Sequence, residues 1–261
     1  MYQVYEWTDN NELKTLNTYQ YWNNENAEKK KEWDIRDGNF QKMENYLTKS
    51  GLKNDLKRAL RLSGLCSQKA LKGIELGGGV CWSAPFVFHC LDMEEMQFLE
   101  FSWHRIAKIA PLILEHYQIP EDRVKLVSGS FYEIKCPDES MDFVLLSQAL
   151  HHADDVERLL TEAHRVLKKG GVALIIGEHN KGVKFCLQCM TEILRDIVIG
   201  DYHSQRISLY RQSGCLAVDK RLGDRYYALW SYAKMFRKHG FTCRRIRTAK
   251  EEHFGFILWK K

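Results

Sequence analysis

A chain of 261 residues that is 44% hydrophobic and 12% aromatic carries ample material for a core, and suits one α/β domain with an insertion better than two independent domains. It has no run of about 18 apolar residues, which excludes a membrane span. The first six residues, Met1 to Glu6, lack the basic-then-apolar pattern of an export signal, so the eight scattered cysteines read as reduced thiols and the chain as cytoplasmic. The net charge of +5 is uneven: from Asp201 onward there are 14 Lys/Arg against 5 Asp/Glu. A basic C-terminal quarter suits an anionic substrate, RNA, or a solvated face.

Residues 1–70 are polar and helical in tone, with Met43, Tyr46 and Leu47 at helical spacing before Ser50-Gly51. Leu52, Leu56, Ala59, Leu60 and Leu62 then repeat at threes and fours. This stretch predicts an N-terminal helical cap on a domain spanning 71–261.

Leu71 and Ile74 lead a short strand into Gly77-Gly78-Gly79, and a helix begins near Ser83 to Pro85. Three glycines permit positive φ and a close approach of ligand to backbone. The helix behind them turns its amide groups toward the loop, which suits a nucleotide-like ligand. Met96 to Phe101 is a second strand ending on Glu100, 21 residues after Gly79. A carboxylate there can accept hydrogen bonds from both hydroxyls of a ribose, and Phe101 can lie against an adenine. A helix over 106–117 and a third strand over 123–127 follow, ending in Ser128-Gly129-Ser130-Phe131. Met141 to Leu146 forms a fourth strand, and Ser147 to Asp155 leads into a helix expected to close at Lys168-Lys169-Gly170-Gly171. Val172 to Glu178 is the fifth strand. Repeated strand–helix alternation calls for a parallel sheet with helices on both faces.

The segment from Ile74 to Glu178 resembles the class I S-adenosyl-L-methionine (SAM)-dependent methyltransferases, of the ubiquinone/menaquinone-biosynthesis type. The phrases IELGGG, PDESMDFVLLSQALHH and AHRVLKKGG carry the resemblance. It implies a Rossmann-like fold with a seven-stranded, mostly parallel sheet, and SAM as cofactor with S-adenosyl-L-homocysteine (SAH) as product. It also implies that Glu75, Gly77, Gly78, Gly79, Glu100, Phe101, Ser130, Phe131 and Ser147 bind the cofactor. Cys81 stands where many relatives have a third glycine, and fits if its Cβ points away from the methionine tail. Ser130 replaces a customary acid at the adenine.

His151, at the tip of the fourth strand, is the candidate general base, because an ordinary imidazole accepts a proton at neutral pH; the competing view is that His151-His152 packs and caps the next helix. Cys186-x-x-Cys189 has no second pair at zinc spacing and sits in an apolar helix, so no metal is expected. Residues 181–222 exceed what the plain fold needs and read as a substrate lid. Tyr202, His203, Arg206, Tyr210, Arg211, Arg225 and Tyr226 are the candidate acceptor-binding residues, the arginines facing an anionic group. A helix from Gly223 to Gly240 and a closing hairpin complete the chain. The expected function is methyl transfer to an O, N or C centre of a small molecule. The alternatives are an RNA or protein methyltransferase using the basic end, and a SAM/SAH-binding protein without transfer activity.

Overall fold

A computed structural model describes residues 2–7, 22–24, 29, 31–219 and 223–261. Residues 1, 8–21, 25–28 and 30 of the predicted cap, and 220–222 of the predicted lid, lie outside the described residues. In chain order the strands are β1 (Val4–Glu6), β2 (Leu71–Leu76), β3 (Met93–Glu100), β4 (Val124–Ser128), β5 (Met141–Ser147), β6 (Leu167–His179), β7 (Cys215–Val218), β8 (Arg225–Tyr227), β9 (Phe241–Ile246) and β10 (His253–Lys260). The helices are α1 (Phe40–Ser50), α2 (Leu52–Ser63), α3 (Ala84–Cys90), α4 (Ala110–His116), α5 (Val156–Val166), α6 (Gly182–Val198), α7 (Gln205–Ser213) and α8 (Leu229–Lys238).

Eight strands form the main sheet in the order β1-β4-β3-β2-β5-β6-β10-β9, and all pairs up to β6 are parallel. β10 runs antiparallel to both β6 and β9. The fold class is the expected one, with one strand more than seven. The extra strand comes from the segment read as a helical cap. Val4, Tyr5 and Glu6 pair with Leu126, Val127 and Ser128, and the Tyr2 hydroxyl donates to the Ile119 carbonyl.

Alternation along the central strands loads two cores. Phe143 and Leu145 enter one with α1 to α4, whereas Val144 and Leu146 enter the other with α5 and α8. Met43, Leu47, Leu52 and Leu56 of α1 and α2 belong to the first core, so this part of the N-terminal segment is built into the fold. Asn39 caps α1 by accepting from the Lys42 amide, and Asp155 caps α5 by accepting from the Arg158 amide.

Two boundaries differ from expectation. Lys168 to Gly171 do not close α5; they bulge within β6, where Lys168 Nζ reaches Asp142 Oδ1 at 2.6 Å and Leu167 pairs with Met141. The predicted last helix is shorter, because Arg225–Tyr227 pairs with β7 as an antiparallel ribbon before α8 begins. In α6, Cys189 packs beside Ile193, Ile207 and Leu216, as an apolar helix residue does.

Gly73 lets β2 and β5 meet. A Cβ there would fall 2.3 Å from Cζ of Phe143, a fully buried ring. Gly73→Ala is expected to cost about 1–3 kcal/mol through overpacking. The measurement is a urea melt, and an unshifted midpoint would mean that the ring yields freely.

Candidate active site

The strand order reverses between β2 and β5, and in such sheets the crevice lies beyond the carboxyl ends of the strands at that point. A cavity of about 330 Å³ opens there. Its floor is the end of β2: Gly77 and Gly78 donate backbone N–H to the Leu99 carbonyl at 2.9 and 3.0 Å, which curls the glycine loop over the end of β3. Gly77 has φ +73°, and a Cβ there would meet the Ala149 Cβ at 2.9 Å. Gly79 has φ +54° with open space where its Cβ would stand.

Glu100 is fixed from two sides. Its Oε2 accepts the Gly79 N–H at 2.7 Å and its Oε1 accepts the Ser102 N–H at 2.8 Å. Each carboxylate oxygen keeps a second acceptor site, and the residue lines the cavity. Phe101, Ser130, Phe131 and Ser147 line it as well. The buried Ser147 Oγ has no hydrogen-bond partner among the described residues, an unmet group of the kind a ligand satisfies.

Glu75 is the exception among the expected cofactor residues. It is buried behind the loop, off the cavity wall, and accepts from the Ser83 hydroxyl. Burial pushes its carboxyl up to about 8, against the Ser83 hydrogen bond. It supports the loop from behind. Cys81 adopts φ +61° with its thiol in the core, away from the cavity.

A second constellation forms where β5 and β6 end. Gln148, with φ +52°, donates its N–H to the Ile176 carbonyl at 2.9 Å and accepts from the Tyr46 hydroxyl at 3.1 Å. A side-chain-bearing residue in the left-handed region is strained and tends to mark a functional turn. His151 is 3% exposed, and its Nδ1 stands 3.1 Å from Oε2 of the fully buried Glu178. Glu178 also accepts from the Leu150 N–H at 3.2 Å and the Tyr232 hydroxyl at 3.3 Å. Burial alone would lower the His151 pKa and raise that of Glu178; their mutual attraction reverses both. Because a carboxylate only accepts, His151 Nδ1 carries a hydrogen, and in the neutral ring Nε2 then holds the lone pair.

His152 Nδ1 lies 2.9 Å from Asp224 Oδ1, and His179 Nε2 lies 3.4 Å from Asp224 Oδ2. Burial pushes the Asp224 pKa up, yet these two histidines hold it well below the usual carboxylate range. Burial lowers His152. His151, His152, His179 and Asp224 all line the cavity.

The lid residues are arranged differently from the expectation. Tyr202, His203, Arg206, Tyr210, Arg211, Arg225 and Tyr226 are not on the cavity wall. Tyr202, His203, Arg206 and Arg211 are exposed, and Arg206 pairs with Glu192 and Asp196. Arg225 and Tyr226 come nearest: Arg225 pairs with Asp154, itself on the wall, and the Tyr226 ring is 5.3 Å from His179. The outer wall comes instead from the N-terminal segment, through Trp22, Lys31, Trp33, Met43, Tyr46 and Leu47. The Arg105 guanidinium lies over the Trp22 and Trp33 rings at 4.9 and 5.3 Å. These residues, with His179 and Asp224, escape a sequence reading. For the N-terminal ones the sequence signal is the aromatic density between Trp22 and Tyr46; Arg105, His179 and Asp224 carry none.

A family profile described as a methyltransferase domain matches residues 105–175. The chain is similar to 2-methyl-6-phytyl-1,4-hydroquinone methyltransferase 1 of Oryza sativa subsp. japonica, at 27% identity over 41% of this chain and 31% of that one. It is similar to a demethylmenaquinone methyltransferase of Listeria monocytogenes, at 27% identity over 51% of this chain and 56% of that one. It therefore spans about half or less of these relatives' length. Among solved structures it resembles the YcgJ protein of Bacillus subtilis (TM-score 0.56, 14% identity, 78% of this chain and 98% of that one). It also resembles a SAM-dependent methyltransferase from Aquifex aeolicus (TM-score 0.54, 14% identity, 79% and 90%). At these identities the structural likeness speaks for the fold.

Proposed function

We propose, for a chain that belongs to the class I SAM-dependent methyltransferase superfamily, that it moves a methyl group from SAM to a small-molecule acceptor. One observation carries this: a single cavity joins a glycine loop, a twice-anchored Glu100 and the unpartnered Ser147 Oγ to a histidine–carboxylate cluster. The first three suit SAM. Glu100 would accept from the ribose hydroxyls, Gly77 to Gly79 leave room for backbone approach, and Phe101 and Phe131 offer rings to the adenine. SAM supplies, when bound, a methyl group on a sulfonium that departs readily.

The chain's own task is then alignment, since holding reacting groups about 3–3.5 Å apart supplies most of the acceleration. His151, oriented by Glu178, takes the acceptor end. Trp22, Trp33 and Tyr46 form an aromatic wall that suits a planar acceptor, in keeping with the hydroquinone and quinone named for the relatives. Lys31 and Arg105, which are on the wall, would take an anionic group of the acceptor, a task expected from sequence of the lid arginines. In this scheme the described part of residues 1–70 caps the cavity and the described part of 181–222 is an outer lid. The proposed setting is a reducing cytoplasm, which suits eight free cysteines. No helix among the described residues is long and apolar enough to cross a membrane.

Calorimetry with SAM and SAH, followed by label transfer to a panel of phenols, quinols and amines, tests the proposal. Glu100→Gln is expected to weaken SAM by about 1–3 kcal/mol, the cost of spoiling a charge-assisted hydrogen bond. A loss under about 0.3 kcal/mol would remove Glu100 from the cofactor site. Absence of SAM binding in the native chain would end the proposal.

A further inference from the structure

We propose that His151, His152, His179 and Asp224 form a site for one divalent transition-metal ion of the zinc class at the acceptor end of the cavity. Along the chain only Cys186 and Cys189 have ligand spacing, so the sequence predicts no metal. The fold assembles a different set. One donor atom each from His151, His152 and Asp224 lies within 4.8 Å of the others. His152 Nδ1 and His179 Nε2 stand 2.9 and 3.4 Å from the two oxygens of Asp224. Donors about 2.0–2.1 Å from a tetrahedral ion are themselves about 3.3–3.4 Å apart; the two Asp224–imidazole pairs are near that spacing, while the other donors, within 4.8 Å, draw in and His179, outside that group, joins through its contact with Asp224.

Two further observations favour an ion over a closed hydrogen-bond network. First, Glu178 holds His151 by Nδ1 and is itself held by Tyr232 and the Leu150 N–H. That is the carboxylate–histidine arrangement that orients a ligating imidazole and leaves its Nε2 lone pair for the ion. Second, among the described residues Asp224 and Glu178 form ion pairs with histidines alone. Two carboxylates, one fully buried and one nearly so, thus face imidazoles with no permanent positive charge. The nearby cations are engaged elsewhere, Lys181 over the Tyr226 ring at 4.5 Å and Arg225 on Asp154 at 2.9 Å.

On binding, each neutral ring takes the tautomer that carries its hydrogen on the other nitrogen, which frees the lone pairs of His152 Nδ1 and His179 Nε2 for the ion; a ring protonated beforehand releases one proton to solvent. Three imidazoles with one carboxylate select zinc, cobalt or iron(II) over magnesium or calcium, which favour all-oxygen shells. All four ligands line the cavity, so expansion of the ion to five-coordination would give it a position facing the acceptor, which suits one that carries oxygen. That role in positioning the acceptor rests on the methyltransferase proposal; the site itself does not.

The test uses the full chain, stripped with a chelator and titrated with Co²⁺ by visible absorbance and with Zn²⁺ by competition. SAM calorimetry is run on every sample. One equivalent of cobalt with tetrahedral or five-coordinate bands is expected, displaced by zinc and not by magnesium. Asp224→Asn and His152→Gln should each weaken binding by about 100-fold or more, and Glu178→Gln by about 10–100-fold, as loss of an orienting partner does. His203→Gln, exposed on the lid, should leave affinity unchanged. His179→Gln serves in place of any variant that fails to fold. Less than about 0.1 equivalent of cobalt bound to the native chain, or equal binding in the Asp224 and His152 variants, overturns the site. SAM binding without cobalt binding refutes the metal and keeps the methyltransferase; cobalt binding without SAM binding does the reverse.

Discussion

Replacing Gly77 by valine is expected to raise the SAM dissociation constant by about 100-fold or more, with little change in far-ultraviolet circular dichroism. Three effects add at this position. The residue sits at φ +73°, where a β-branched side chain is a steric outlier costing about 1–2 kcal/mol. Its Cβ would stand 2.9 Å from that of Ala149 on the opposite lip of the cavity. The loop must move to relieve both, and the Gly79 N–H that anchors Glu100 moves with it. Since each 1.4 kcal/mol is about tenfold in affinity, losing that alignment and one good contact accounts for the size of the effect. The fold should tolerate the change, because the loop lies at the strand ends and not within a core layer. Calorimetry on the purified variant decides it: affinity within about threefold of wild type would detach the glycine loop from the cofactor.

Much of this arrangement was legible in the sequence because it is written locally. The short apolar runs at Ile74–Leu76 and Phe143–Leu146 mark central strands, and Gly77, Gly79 and Glu100 mark the crevice between them. All the expected cofactor residues except Glu75 line the cavity. Glu75 misleads because a side chain inside a strand two residues before a turn can point behind the turn as easily as into it. What could not be read is long-range. His152 meets Asp224 across 72 residues, and Tyr46 meets Gln148 across 102. No spacing rule connects such pairs, because tertiary packing makes them neighbours. The lid misled for a related reason. A density of Tyr and Arg marks a polar surface, and Arg206 spends its charges on Glu192 and Asp196 in the lid itself. Strand β1 has only three residues and no alternation long enough to register.

His151 carries the second large effect. His151→Ala is expected to lower kcat on the true acceptor by about 10²–10⁴-fold, the range for a positioned group that assists at the reacting centre. SAM affinity should stay within about threefold, since one ring nitrogen is committed to Glu178 and the ring belongs to the acceptor end of the cavity. Glu178→Gln is the companion variant. It keeps the buried shape but spoils the acceptor that sets the His151 tautomer, so a smaller loss of about 10–100-fold is expected. A packing role is separated from an acceptor-facing one by the pattern of the two variants. If the pair only caps the start of α5, both substitutions lower the melting temperature together and neither moves kcat at a temperature where the protein is folded. If His151 faces the acceptor, kcat falls in both while the SAM-bound complex still forms. Wild-type turnover in His151→Ala would strip the residue of its catalytic assignment and hand the acceptor end to Tyr46, Gln148 and Asp224.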